Sequence, residues 1–481
     1  MIEKRQFYIN GEWVDPATPN DHNVIDPSTE EPCAVISLGS AADVDRAVAA
    51  ARAAFPAWMK RDPAERIAIV ETFLDLYKAR QEDMAKAISM EMGAPIDMAM
   101  AQQWGAGFSH TKNFIRAAKE FQFVRPLGDH APNDRIVYEA YGVCAMITPW
   151  NWPMNQVTLK VVAGLIAGCT MILKPSEESP LNAIVFAELM HEAGVPAGVF
   201  NLVNGDGMGV GTALTGHEDV DMVSFTGSTR AGRAISANAA QTLKKVHLEL
   251  GGKGANVIFA DADDKAVKRG VMHMMNNSGQ SCNAPSRMLV QREIYDRAVE
   301  EAAAAAEKVA VGPAGESGRH IGPVVNEVQF NKIQDLIQKG IDEGARLVAG
   351  GTGRPDGMNR GYYVKPTVFA DANNQMTIAR EEIFGPVLTM IPFETEEEAI
   401  EIANDTPYGL TNYVQTQDAA RANRMALSLR SGMVEMNGQP RGAGAPFGGM
   451  KASGIGREGG IWGLEDFMEV KAVSGWDAKT G

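Results

Sequence analysis

Between residues 141 and 250 the chain alternates short β-rich runs with helical stretches, and few folds accept that order. Runs at 141–148, 170–174, 199–203, 220–225 and 246–250 suit strands, and those at 154–167, 181–193, 209–214 and 231–240 suit helices. Strand–helix–strand repeats force parallel pairing through crossover helices, and such a sheet is buried on both faces. A strand at 257–259 opens a second run of this kind, with helices at 265–277 and 292–309, continuing to about residue 450. The expected fold class is α/β, with two α/β units in succession; 481 residues are too many for one ordinary domain.

The first third is expected to be helix-rich. Ser40-Ala41-Ala42-Asp43 resembles a capping box, and Asp62-Pro63-Ala64-Glu65 supplies a cap and a proline at the first helical position. Loops are expected at 125–133, 312–323, 350–361 and 438–460, and the 124–138 segment reads as an arm or an inter-subunit strand. A net charge of −15 argues against nucleic acid or an anionic membrane surface as partner. The most apolar run, 161–173, is too short to cross a bilayer and is bracketed by Lys160 and Lys174. No apolar segment follows Met1, so no signal peptide is expected. Four cysteines, none in a C-x-x-C pair, suggest neither a disulfide framework nor a metal site, and a cytoplasmic location is the expectation.

The chemistry-bearing residues gather at strand ends. Cys282 lies in a Gly/Ser/Asn loop after a helix, whereas Cys144 and Cys169 sit in apolar runs and Cys33 in a connector. An accessible cysteine can be a nucleophile, although a lone loop cysteine is as often structural. Glu249 ends an alternating strand, placing a carboxylate at the mouth of the sheet; a solvent-facing strand acid is the other reading. Phe225-Thr226-Gly227-Ser228 runs from a strand into a helix whose N-terminus can hold a phosphate, or whose serine merely caps it. Lys174-Pro175-Ser176-Glu177 also ends a strand, and a carboxylate at Glu177 can bind ribose hydroxyls while repelling a 2′-phosphate; a surface Lys and Glu in a loop is the other reading. Asn151, in Pro149-Trp150-Asn151-Trp152-Pro153, carries an amide that can donate to an oxyanion or hold a turn. The single G-x-G-x-x-G, 454–459, follows no strand and reads as a glycine-rich loop.

Taken together, PWNWP at 149–153, KPSE at 174–177, FTGS at 225–228, LELGGK at 248–253, GQSC at 279–282, EEIFGP at 381–386 and PFGGMK at 446–451 resemble the NAD(P)-dependent aldehyde dehydrogenase superfamily over nearly the whole chain. The resemblance implies a Rossmann-like NAD-binding domain (1–120 and 141–251), a second α/β catalytic domain (252–465) and a small β oligomerisation arm (121–140 and 466–481). It implies Cys282 as nucleophile, Glu249 as general base, Asn151 with the Cys282 N–H as oxyanion hole, and Lys160 and Glu458 as a proton relay. Thr148, Trp150, Lys174, Ser176, Glu177, Gly227, Ser228, Leu250, Glu382 and Phe384 would bind the cofactor, NAD in preference to NADP. Trp152, Leu159, Ser281, Asn283, Gln439 and Arg441 would line the substrate pocket, with Arg441 pairing a substrate carboxylate, capping carbonyls or meeting a neighbouring subunit. The implied activity is oxidation of an aldehyde to a carboxylic acid through a cysteine thiohemiacetal and thioester, in a homodimer or homotetramer. The alternative is a CoA-acylating enzyme, which Glu249 disfavours because members of that kind generally lack this base.

Overall fold

The computed structural model describes residues 1–476. The first unit is built on an eight-stranded sheet whose central five strands are parallel. Across it run Lys245–Glu249, Met222–Thr226, Val143–Ile147, Thr170–Lys174 and Phe200–Leu202. The chain lays down Val143–Ile147 first, winds outward to Phe200–Leu202, then returns to the other side for Met222–Thr226 and Lys245–Glu249. The strand order therefore reverses between Val143–Ile147 and Met222–Thr226, and a crevice opens beyond the carboxyl ends of those two strands.

Period-two alternation sorts each strand between two cores. Cys144 and Met146 point into one with Met171 and Leu173, while Val143, Ala145 and Ile147 point into the other with Val223 and Phe225. The helix Pro153–Ala167 packs on the first of these and is buried along nearly its whole length. Its valines, isoleucine and glycine each lose up to roughly 1 kcal/mol of helix propensity against alanine. Burial of a large apolar side chain is worth roughly 1.5–3 kcal/mol, so packing decides this helix, and Gly168 ends it in the left-handed conformation.

The second unit carries a seven-stranded sheet ordered Arg346–Ala349, Thr367–Ala370, Val387–Phe393, Arg287–Gln291, Ala255–Ile258, Thr411–Gln415, Met433–Met436, parallel except at its first pair. A third, antiparallel sheet joins Val124–Gly128, Ala131–Ala140 and Met468–Val473. Its outer strands are largely exposed. The stretch 125–133, expected as a loop, is thus mostly a strand hairpin. Positions 477–481 of the segment assigned to the arm lie outside the described residues.

Two further stretches differ from expectation. The opening of the chain is not helical: Ile2–Lys4, Phe7–Ile9, Glu12–Val14, Asp21–Asp26 and Glu31–Ser37 are strands. Asn10 and Gly11, both at positive φ, turn Phe7–Ile9 into Glu12–Val14 as a two-residue hairpin. The 438–460 stretch contains a short strand, Gly454–Ile455, paired with Leu248 and Glu249 of the first sheet. The chain therefore returns from the second unit to the first, and the glycine-rich run at 454–459 packs behind Glu249. Elsewhere the helix signals hold. Ala41–Met59 begins with the Ser40 N–H donating to Asp43 at 2.9 Å, and Pro63–Ala79 with Asp62 accepting from Ala64 N–H at 2.8 Å.

Candidate active site

The crevice at the strand-order reversal is a cavity of about 220 Å³. Trp150 and Asn151 reach it from the end of Val143–Ile147, Gly227 and Ser228 from the end of Met222–Thr226, and Glu249 and Leu250 from the end of Lys245–Glu249. The second unit contributes Cys282, Glu382 and Phe384. Trp150 and Phe384 meet edge to face at 5.5 Å across it. A second cavity of about 380 Å³ is lined by His110, Trp152, Asn155, Leu159, Asn283 and Arg441, among others. Cys282 lines both cavities and is the place where they meet.

A distorted turn carries Cys282 there. Asn277 and Ser278 both adopt left-handed backbone, and Gly279 follows at φ +71°. A Cβ on Gly279 would fall 2.0 Å from the Gly385 carbonyl oxygen, so only glycine lets this loop lie against the 381–386 segment. Side chains then lock the loop. Asn151 Nδ2 donates to the Gln280 carbonyl at 3.0 Å, and Asn277 Nδ2 donates to the Asn151 carbonyl at 2.9 Å. Gln103 Nε2 donates to the same Asn151 carbonyl at 3.0 Å, and Gln280 Oε1 accepts from Val325 N–H at 3.0 Å. Asn277, Gln280 and Gln103 were not among the expected site residues. The amide-rich run Asn276-Asn277-Ser278-Gly279-Gln280 before the cysteine is the only signal for Asn277 and Gln280, and Gln103 has none.

Asn151 keeps one amide hydrogen beyond the bond to Gln280, since the group carries two. Ser281 does not line the second cavity; its hydroxyl accepts from Trp152 Nε1 at 2.7 Å and so fixes that wall. Arg441 lines the cavity, but its Nε donates to Glu435 at 2.9 Å and its guanidinium lies 4.7 Å from the Phe447 ring centre. A substrate carboxylate would therefore compete with Glu435 for this cation. Gln439 is exposed and is not among the residues lining either cavity.

The electrostatics differ from those of an activated thiolate. Burial pushes the Cys282 thiol well above its ordinary range, and Glu249 and Glu382 push it further, against Arg441. Glu249 is 1 % exposed, and among the described residues neither of its carboxylate oxygens has a hydrogen-bond partner. Burial raises it to about 7. A carboxylate poised there can take a proton from water near neutral pH. Glu382, raised by burial, accepts from Gly252 N–H at 2.9 Å. Lys160 Nζ, wholly buried, contacts Glu458 Oε1 at 2.7 Å and Ser224 Oγ at 3.1 Å.

Beyond the cavity, the top of the sheet carries the other expected cofactor residues. Lys174 Nζ donates to the carbonyls of Pro175 (2.7 Å) and Gly205 (2.5 Å) and lies 3.4 Å from Glu177. Thr148 N–H donates to the Lys174 carbonyl at 3.1 Å, and Ser176 Oγ accepts from Glu178 N–H at 3.2 Å. Ser228 caps the helix Thr229–Ala239, with Oγ accepting from Ala231 N–H at 3.2 Å, and leaves that helix's N-terminus facing the crevice. Among the described residues no group of three or more His, Cys, Asp or Glu could hold a metal ion, and no helix is long and apolar enough to cross a membrane.

The doubly wound sheet thus holds a crevice at its strand-order reversal that meets a second cavity at Cys282. Comparison with known proteins fixes the family: residues 13–473 match the aldehyde dehydrogenase family, and the chain belongs to it. The chain is 49% identical over 479 residues to the 3-succinoylsemialdehyde-pyridine dehydrogenase of a Pseudomonas species, covering 99% of this chain and 100% of that one. An aldehyde dehydrogenase from Bartonella henselae superposes with a TM-score of 0.98 at 61% identity, covering 98% of this chain and all of the other. A mutant of aldehyde dehydrogenase C from Pseudomonas syringae, solved with NAD+ and octanal, gives a TM-score of 0.97 at 47% identity, covering 99% and 98% of the two chains. The protein is thus an aldehyde-oxidising enzyme of the α/β class expected from its sequence.

Proposed function

We propose that the protein oxidises an aldehyde with NAD and releases a free carboxylic acid by hydrolysis. The observation that carries this reading is the junction at Cys282, where two cavities meet and the first is also lined by Glu249, whose carboxylate has no hydrogen-bond partner among the described residues. NAD fits the first crevice on grounds internal to this chain. The helix N-terminus behind Gly227-Ser228 suits a pyrophosphate, Lys174 and Glu177 suit the adenine ribose, and Glu382 suits the nicotinamide ribose between the Trp150 and Phe384 walls. Bound there, NAD supplies the hydride acceptor. Glu177 disfavours a 2′-phosphate by charge, so NAD is preferred to NADP.

The chain's own residues do the rest. Cys282, once deprotonated, adds to the aldehyde carbon and leaves a thiohemiacetal oxyanion. The free amide hydrogen of Asn151 and the Cys282 N–H donate to that oxygen. After oxidation a thioester remains on Cys282. Glu249 then takes a proton from water as the hydroxyl adds, and the thiolate leaves with release of the acid. Lys160 and Glu458 stand behind Glu249 as a route for that proton. The arm sheet, with exposed outer strands at both edges, serves assembly into a homodimer or homotetramer, and the location is cytoplasmic.

An aldehyde panel with NAD and with NADP, free of CoA, tests the reading. NADH and acid are expected in equal amounts, with NAD favoured; no NADH from any aldehyde, or product only with CoA, would contradict it. Replacing Asn151 with alanine is expected to lower kcat by about 10²–10³-fold, the usual effect of losing one oxyanion donor. A smaller loss, below about threefold in stopped-flow NADH formation, would remove Asn151 from the hole.

A further inference from the structure

Behind Glu249 lies a buried charge cluster larger than the Lys160–Glu458 pair. His247 stands two residues earlier on the strand Lys245–Glu249, so both side chains leave the sheet on the same face. His247 Nδ1 donates to Asp466 Oδ2, and its Nε2 lies 3.6 Å from Glu249 Oε1. The glycine-rich run makes room for it: a Cβ on Gly456 would fall 2.7 Å from His247 Nδ1. Every neighbouring element adds a polar or charged group. Lys245, on the same strand, contacts Asp466 Oδ1 at 3.2 Å and lies over the Tyr141 ring at 5.1 Å. Lys160 comes from the helix Pro153–Ala167, and Ser224, its second partner, is the register neighbour of His247 on the next strand. Glu458 and Arg457 come from the loop, with the Arg457 guanidinium donating to the Gly449 and Gly456 carbonyls.

We propose that His247 is a positioning residue for the catalytic base: gripped by Asp466 through Nδ1, it presents Nε2 to Glu249 and keeps that carboxylate ionised and anchored at the strand end. The inference rests on Glu249 as the base of hydrolysis. The charge pattern supports it. Glu249, Glu458 and Asp466 crowd one buried cluster, and His247 lies between Glu249 and Asp466, where a proton on its ring offsets both. Burial pulls His247 down, yet the hydrogen bond to Asp466 and the nearby Glu249 carboxylate outweigh this and hold it up at about 9. Left alone, a buried carboxylate without hydrogen bonds shifts toward its neutral acid, which cannot activate water. The 3.6 Å separation is that of an ion pair just beyond hydrogen-bond length, so Glu249 keeps its lone pairs free for water.

The test is the pH profile of acid release from the acyl-enzyme, followed by rapid quench, in the wild-type enzyme and in His247→Gln and Asp466→Asn. His247→Gln removes a cation that favours the Glu249 anion, so the acid limb is expected to move to higher pH by about one unit. Asp466→Asn removes the counter-ion of the imidazolium and moves the limb the same way. The NADH burst that precedes acid release stays at wild-type amplitude in both. In the wild-type enzyme, the ¹⁵N shifts of His247 report an imidazolium at pH 8. A folded variant whose limb does not move, or a neutral His247 at pH 7, overturns the proposal whichever variant folds. No NADH from the wild-type enzyme would overturn the hydrolytic reading as well; NADH and acid with unmoved limbs would overturn only the role of His247.

Discussion

Replacing Cys282 with alanine is expected to abolish aldehyde-dependent NADH formation, a loss of at least about 10³-fold, because removal of a covalent nucleophile leaves only binding and positioning. The fold should be unaffected. The loop is held by Asn277, Gln280, Ser278 and the Tyr413 hydroxyl on the Asn283 carbonyl, none of them through the cysteine sulfur. A thermal melt matching the wild type, together with absent NADH, is the expected pair of results. The wild-type thiol should also reveal its surroundings. Since burial and the nearby carboxylates hold it well above the ordinary thiol range, only the fraction deprotonated at a given pH reacts, and alkylation by iodoacetamide should be slow at neutral pH and accelerate as pH rises. Rapid alkylation at pH 6 would show that the thiolate is stabilised by something the geometry does not contain.

Replacing Glu249 with glutamine is expected to separate the two halves of the reaction. The amide has nearly the same shape but cannot accept the proton of the attacking water. Acylation continues, so one NADH per site should appear in a burst, while steady-state kcat falls by about 10²–10⁴-fold. The wild-type profile gives the same residue a second signature. Burial raises Glu249 to about 7; below that pH it is protonated and cannot serve as base, so turnover should fall as pH drops through that region. The variant should lose this limb while keeping its burst. Loss of burst and turnover together would assign Glu249 to the first half-reaction.

The layered fold was legible in the alternation of strands and helices along the chain. The strand–helix order of residues 141–250 implied a parallel sheet covered on both sides, and the uninterrupted apolar run Val143–Ile147 is split between two cores. Cys282, Glu249, Asn151, Glu382 and Phe384 were legible as strand-end and loop residues carried by a resemblance, and they line one crevice. The opening strands were missed although Asn10-Gly11 is a strong hairpin signal: three-residue strands leave too little pattern for periodicity to register. The amides that lock Asn151 and the cysteine loop were illegible for another reason. Gln103 lies 48 positions before Asn151 in the chain, and a hydrogen bond between side chain and distant backbone leaves no periodic trace. Arg441 shows the same limit, since Glu435 as its counter-ion is visible only in three dimensions. The glycine-rich run at 454–459 was correctly separated from a nucleotide fingerprint, but its placement against His247 and Glu249 depends on the chain's return to the first sheet.

The central claim is that aldehyde carbon becomes a thioester on Cys282 before water releases it. Intact-protein and peptide mass spectrometry of Glu249→Gln, quenched in acid after mixing with NAD and one aldehyde, tests this most directly. The account predicts a mass increase equal to the acyl group, confined to the peptide containing Cys282 and absent without NAD. An unmodified Cys282 in protein that has formed its burst of NADH, or an acyl group on another residue, would contradict it.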